Sequence, residues 1–232
     1  MTQFPLGDAL SHEQLRLAAS LPMKPAAVVL EGRFVRLEPF DAARDVEGLH
    51  AISNGQPVTL GGRTIEAYDA DERVWRYMFK GPFQAAAELG AFLGEIDAAP
   101  NFRPFTVFDV AAGNAVGFTA YTSNAPEHLK IELGHIWYSP IGQRTNANLE
   151  STYLMLRHAF SLGYRRVEWK CDALNERSRR SALRMGFLFE AIQESHFIIK
   201  GRNRDTAWFR MLDLEWPAVR ERLEKLLYGP AR

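Results

Sequence analysis

Between Ile131 and Gly186 the hydrophobic pattern switches from strand to helix and then repeats the switch. Ile131 to Tyr138 is a run of strand formers closed by Ser139-Pro140. Beyond a polar stretch, Leu149, Tyr153, Leu156 and Phe160 share one face of a helix over 147–162 that Gly163 ends. Arg166 to Asp172 is again a strand, and Asn175 offers an N-cap to a short helix, 176–185, terminated by Gly186 before Phe187. Strands and helices interleaved in this way place the chain in the α/β class.

The flanking sequence extends the pattern. Arg33 to Leu37 alternates polar and apolar, Glu38-Pro39 stops the run, and Asp41 caps a helix running towards Ile52. Residues 53–73, with Gly55, Pro57, Gly61 and Gly62, read as a long loop of the kind that lines a site. Ala86, Leu89, Leu93 and Ile96 recur at helical spacing, with Pro82 suited to the first turn and the end near Ala98. Pro104 to Val110 and Val116 to Thr122 form a hairpin around Gly113-Asn114, and Phe187 to Ile199 and Asp205 to Leu212 form another around Gly201-Arg202-Asn203. Trp216-Pro217 opens a last helix. The division is an N-terminal extension (1–30), one domain (31–213) and a C-terminal helix (214–232).

Composition narrows the function. In 232 residues, 28 Lys and Arg balance 28 Asp and Glu, so no global basic field exists to hold a polyphosphate backbone, and nucleic acid is not an expected partner. The single Cys171 excludes an intramolecular disulfide and a cysteine-only metal site. Met1-Thr2-Gln3-Phe4-Pro5 lacks the basic start and apolar stretch of a signal peptide, and no segment approaches the ~18 apolar residues of a membrane span. The expected location is the cytoplasm, with no membrane contact. His12-Glu13 starts like a zinc-protease helix, but Arg stands at position 16, and no metal is expected.

Glu132 at the head of a strand, Gln143-Arg144-Thr145-Asn146-Ala147-Asn148 opening a helix, and Asn175-x-x-Ser178 before Met185-Gly186-Phe187 resemble the GNAT acyltransferase superfamily. Gly201-Arg202-Asn203-Arg204-Asp205 with Trp208 resembles the final hairpin of its RimJ/RimL-type branch. The resemblance covers about residues 30–213. It implies a mixed, mostly antiparallel, splayed sheet flanked by helices, which grips acetyl-coenzyme A between Ile131–Tyr138 and Arg166–Asp172. It also implies N-acetyl transfer from acetyl-CoA to a primary amine by direct attack, the acceptor being a small molecule or a peptide. The cofactor would lie along Ile136, Trp137 and Tyr138, over the cradle of Gln143, Arg144, Thr145, Asn146, Ala147 and Asn148, and beside Asn175 and Ser178.

A helix N-terminus is a ready anion site, which suits the pyrophosphate of coenzyme A. The family pattern there is Gln/Arg-x-x-Gly-x-Gly/Ala, whereas this chain has Asn146 and Asn148. Asn146 is expected to keep a left-handed turn, while Asn148 adds bulk where backbone and phosphate approach. Glu132 is the candidate base, its alternative being a strand-end surface ion pair. His135, three residues on, points to the opposite face of a regular strand and reads as a core histidine unless a bulge intervenes. Ser178 is the candidate proton donor to the thiolate, its alternative being helix capping. The tyrosine many superfamily members carry four residues before Gly-Phe is here Ala182.

Asn175 caps its helix or bonds pantetheine. Arg177, Arg179 and Arg180 meet a phosphate or solvent, and Trp75, Tyr77, Phe79 and Phe83 wall an acceptor pocket or fill the core. Arg204-Asp205 orient the last hairpin or touch the acceptor, and Cys171 reads as a buried structural thiol. The symmetry common among soluble proteins points to a homodimer. The competing reading is a catalytically inactive CoA-binding or protein-interaction module, favoured by Asn148 and the missing tyrosine.

Overall fold

The computed structural model describes residues 6–230. Met1 to Pro5, on which the signal-peptide reading falls, and Ala231-Arg232 lie outside the described residues. In chain order the elements are α1 (His12–Ser20), β1 (Leu30–Glu31), β2 (Val35–Pro39), α2 (Ala42–Ala51), β3 (Val58–Leu60), β4 (Arg63–Ile65), a π-helical turn (Asp71–Trp75), α3 (Ala86–Ala98), β5 (Arg103–Asp109) and β6 (Ala115–Ala125). Then follow β7 (Lys130–Tyr138), α4 (Ala147–Ser161), β8 (Arg166–Asp172), α5 (Glu176–Met185), β9 (Leu188–Ile199), β10 (Arg202–Leu212) and α6 (Trp216–Tyr228).

Eight strands form one sheet in the order β1-β2-β5-β6-β7-β8-β10-β9, antiparallel throughout except where β7 meets β8. That parallel pair is the one joined through α4, since parallel neighbours need a long crossover. Helices cover both faces. Thr119 and Tyr121 of β6 bond Met155 of α4, whereas Phe118, just before Thr119, packs edge-on to Phe40 beside α2. Phe105, Phe118, Tyr121, Leu133 and Trp137 fill the space between sheet and helices. Gly186 ends α5 at φ 98, where a Cβ would meet Val219 of α6 at 2.8 Å, so the turn serves both backbone angle and helix docking.

Several expectations need correction. The 53–73 segment is not all loop, because Val58–Leu60 and Arg63–Ile65 pair around Gly61-Gly62 before the π-helical turn. Pro82 lies outside α3, which begins at Ala86 after the Ala85 N-cap. The extension holds α1, closed by a capping box between Ser11 and Gln14, and β1, which pairs with β2. The last hairpin turns at Lys200-Gly201, so Arg202 to Arg204 belong to β10. Among the described residues no helix is long and apolar enough to cross a membrane.

Glu150, fully buried in the first turn of α4, ties that helix to the first strands. Its carboxylate accepts the N–H groups of Arg33, Phe34 and Val35 at 2.9, 2.6 and 2.7 Å and the Tyr228 hydroxyl at 2.7 Å. A Cβ at residue 32 would stand 2.5 Å from this carboxylate, which is why Gly32 occupies the turn. Charge-assisted bonds to an acid in so enclosed a place are costly to break from one side. Glu150→Ala is expected to destabilise the fold by about 3 kcal/mol in urea unfolding. A change below about 0.5 kcal/mol would contradict the anchoring role.

Candidate active site

The pairing of β7 with β8 runs from Lys130↔Arg166 to Leu133↔Trp169 and stops, although both strands continue. Beyond that point they diverge, and two cavities meet in the gap. The smaller, about 140 Å³, is lined by Glu132, His135, Lys170, Cys171, Asp172, Phe79, Phe102 and Arg204. The larger, about 510 Å³, runs over Tyr138, Gln143, Arg144, Thr145, Asn148, Arg177 and Arg180. Tyr77, Met78, Ile136, Trp169, Asn175 and Ser178 line both.

A bulge shapes the smaller cavity. Ala120 of β6 pairs with Gly134, but Phe118 pairs with Trp137, so β7 carries an extra residue there. His135 takes the left-handed angle φ 51. Glu132 and His135, which a regular strand would send to opposite faces, therefore line the same cavity. The histidine ring sits 5.8–6.1 Å from the rings of Phe79, Phe92 and Phe102, and its Nδ1 has no partner. Burial, helped by the charges of Lys170 and Arg204, lowers its pKa to about 4, so it is neutral at pH 7.

Glu132 stands opposite Glu168 across the parallel pair. Two acids abreast repel, and three cations offset them: Lys170 Nζ donates to Glu132 at 2.8 Å, while Lys130 and Arg166 bond Glu168 at 3.4 and 2.6 Å. Burial raises the Glu132 pKa above the ordinary carboxylate value, and Lys170 opposes that rise. Glu132 is thus no surface ion pair; its side chain is 3% exposed. The alternating polar residues of Arg166-Val167-Glu168-Trp169-Lys170 put Lys170 on the face of Glu132 once the register is known, and that alternation was the available signal for it.

Ser178 sits at the junction. Its hydroxyl accepts the Trp169 Nε1–H at 3.0 Å, and its N–H donates to Asn175 Oδ1 at 3.1 Å. Asn175 thus caps α5 through its oxygen and leaves its amide N–H groups to the junction. Ala182 is fully buried and lines neither cavity. Cys171 is a buried thiol whose pKa burial raises.

At the start of α4 the left-handed residue is Arg144, at φ 60, and not Asn146, which is helical at φ −76 and ψ −4 and makes no side-chain cap. Thr145 Oγ1 takes the capping part, accepting the Ala147 N–H at 3.1 Å while donating to Gly142 O. Gln143 donates to the carbonyls of Arg73 and Tyr138, both at 2.9 Å, and so clips the π-helical turn to the loop. Ile136, Trp137, Tyr138, Gln143, Arg144, Thr145 and Asn148 line the larger cavity, whereas Asn146 and Ala147 line a neighbouring one with Arg33 and Arg184. Asn148 Oδ1 is buried there with no partner. Arg177 and Arg180 face the groove, while Arg179 donates to Ala173 O. Trp75 and Phe83 pack against each other in the core, whereas Tyr77 and Phe79 line the gap. Among the described residues no group of three or more His, Cys, Asp or Glu could hold a metal ion.

The Acetyltransferase (GNAT) domain family matches residues 35–188, and the chain belongs to that family. It is an acetyl-CoA dependent N-acetyltransferase. A GCN5-related N-acetyltransferase from Brucella melitensis is 38% identical over 88% of this chain and 87% of its own, with a TM-score of 0.79. A probable GNAT-family acetyltransferase from Chromobacterium violaceum ATCC 12472 is 30% identical over 94% and 99%, with a TM-score of 0.78. The spermidine N-acetyltransferase of Vibrio cholerae, crystallised with CoA and spermine, shares the fold at 18% identity over 79% and 98%, with a TM-score of 0.60. A comparison with curated proteins finds no match.

Because His135 has a native pKa near 4 against 6.5 unfolded, the unfolded chain binds more protons between those values and stability rises with pH across that window. The rise is at most about 3 kcal/mol. His135→Asn is expected to flatten it in unfolding experiments from pH 4 to 7. An unchanged slope would show that other groups carry the dependence.

Proposed function

We propose that the chain moves an acetyl group from acetyl-CoA to a primary amine by direct attack in a ternary complex, with Glu132 as the base. The observation that carries this reading is the meeting of the two cavities where β7 leaves β8, an acid on one side and the start of α4 on the other.

The larger cavity fits the donor. The first-turn N–H groups of α4 lack intrahelical partners, and Arg144, Arg177 and Arg180 supply positive charge. Bound acetyl-CoA supplies an activated thioester, whose carbonyl carbon gains the bond to nitrogen as the C–S bond breaks. Gln143, Arg144 and Thr145 hold the pyrophosphate end, with Asn148 crowding the cradle, and Ile136 to Tyr138 with Asn175 line the path to the gap. The backbone N–H groups that β7 no longer shares with β8 are the donors for the carbonyl oxygen.

Glu132 takes the proton that nitrogen loses. An ammonium of pKa ~10 needs such a base at neutral pH, and a carboxyl raised by burial is a stronger one than a free carboxylate. Ser178, its oxygen already accepting from Trp169, keeps its own proton to give to the leaving thiolate. The polar wall around Glu132 suits an amine, the acceptor class of the Vibrio spermidine enzyme. The RimJ/RimL-type assignment rests on the β9–β10 hairpin, and a cytoplasmic homodimer completes the reading.

Glu132→Gln is expected to lower kcat by roughly 10²–10⁴-fold with acetyl-CoA affinity unchanged. Near-normal turnover across neutral pH would overturn its role. In calorimetry acetyl-CoA is expected to bind with micromolar affinity, and Asn148→Ala to bind at least as tightly, since truncation removes bulk from the cradle. Loss of binding in that variant would show that the Asn148 amide is itself a ligand contact.

A further inference from the structure

Arg204 is the least explained charge in the protein. Arg204 and Thr206, two apart on β10, share its inward face, and the facing strand β9 bulges between Gln193 and Phe197, where Asp205 accepts the Ser195 N–H at 2.8 Å and the Asn203 amide at 2.9 Å. The guanidinium is carried into the smaller cavity with 5% of the residue exposed. There it lies between two aromatic faces, 4.9 Å from the centroid of Phe79 and 5.6 Å from that of Phe197. Stacking fixes the plane of the fork but satisfies none of its N–H groups, and Nε has no partner.

Asp172 and Glu132 share the cavity and act on Arg204 through it, but neither makes an ion pair with it. Glu132 receives Lys170, and Asp172 Oδ1 accepts the Leu174 N–H at 2.8 Å. A buried cation without a paired anion is expensive, and a planar guanidinium with free donors matches a carboxylate. The same charge opposes a second cationic end beside it, whereas Lys170 is already paired with Glu132.

Resting on the transferase reading above, we propose that the acceptor is a small aminocarboxylate, its amine directed to Glu132 and the junction and its carboxylate held by Arg204. A cavity of about 140 Å³ suits a molecule of amino-acid size, and the Phe79 and Phe102 walls suit an apolar segment between its two polar ends.

The test is steady-state acetylation of L-methionine, L-phenylalanine, β-alanine and 4-aminobutyrate, each beside its carboxamide, with spermidine as the polycation. The wild type is expected to favour at least one carboxylate over its amide by tenfold or more in kcat/KM, and over spermidine by more. Arg204→Gln is expected to lower that ratio at least tenfold, and Arg204→Lys, which keeps the charge and loses the fork, to lower it less. Preference for amides or spermidine, or a ratio unchanged in both variants, overturns the proposal. If no amine is turned over, thermal shift with the same amines and their N-acetyl derivatives, with and without coenzyme A, decides it. Stabilisation by the carboxylates alone, lost in the variants, supports it, and no difference from the amides overturns it. If Arg204→Gln does not fold, the wild-type panel and Arg204→Lys decide. Failure of acetyl-CoA to bind in calorimetry would overturn the transferase reading, and the thermal-shift arm without donor would still judge Arg204.

Discussion

Two parallel strands that stop sharing hydrogen bonds halfway along their length organise this molecule. Backbone N–H and C=O groups in an interior must find partners, and β7 and β8 stop supplying one another's beyond Leu133 and Trp169. The bulge at His135 compensates on the other side, keeping β7 joined to β6 through Trp137 and Tyr138 while it leaves β8. The opening is thus held by a continuous sheet on one flank and by α5 on the other, where Asn175, Ser178 and Trp169 bond one another. A gap with walls this well tied presents unpaired amides to a ligand at little reorganisation cost, which is what charge stabilisation in acyl transfer requires.

The electrostatics follow from the same geometry. Parallel pairing puts Glu132 abreast of Glu168, and the end of pairing frees Lys170 to serve Glu132 while Lys130 and Arg166 serve Glu168. Glu168 is locked between two cations, whereas Glu132 has one and borders a cavity. Of two identical acids on adjacent strands, one is enclosed by ion pairs and the other faces a cavity. His135, kept neutral by its aromatic surroundings, adds no charge to oppose an incoming amine.

Elements with strong local signals were legible in the sequence. Asp41 and Asn175 cap the helices their positions announced, Gly186 ends α5, and Arg166–Asp172 is a strand with those bounds. What was hidden depends on partners. The His135 bulge is a property of β6 and β7 together, since nothing in Gly134-His135-Ile136 alone demands an extra residue. The left-handed angle falls on Arg144, not on the asparagine better suited to it, because the Thr145 cap and the Gln143 clip already fix the loop. The β3–β4 hairpin has three-residue strands, too short for periodicity to show. Arg204 was ambiguous in sequence for a related reason: which face of β10 it takes, and the β9 bulge opposite it, depend on how β10 pairs with its neighbours.

The donor end depends on a residue remote from the chemistry. α4 presents its N-terminus to the groove, and its orientation is fixed one turn in by Glu150, which gathers three successive N–H groups at the start of β2 and the hydroxyl of Tyr228 at the end of α6. A helix dipole can favour an anion only if its axis is held against the ligand. Glu150 supplies that restraint by joining the first strands and the last helix to α4 through a single carboxylate. The segments outside the 35–188 match therefore take part in the site indirectly, because α6, beyond that range, steadies the helix whose first turn borders the larger cavity.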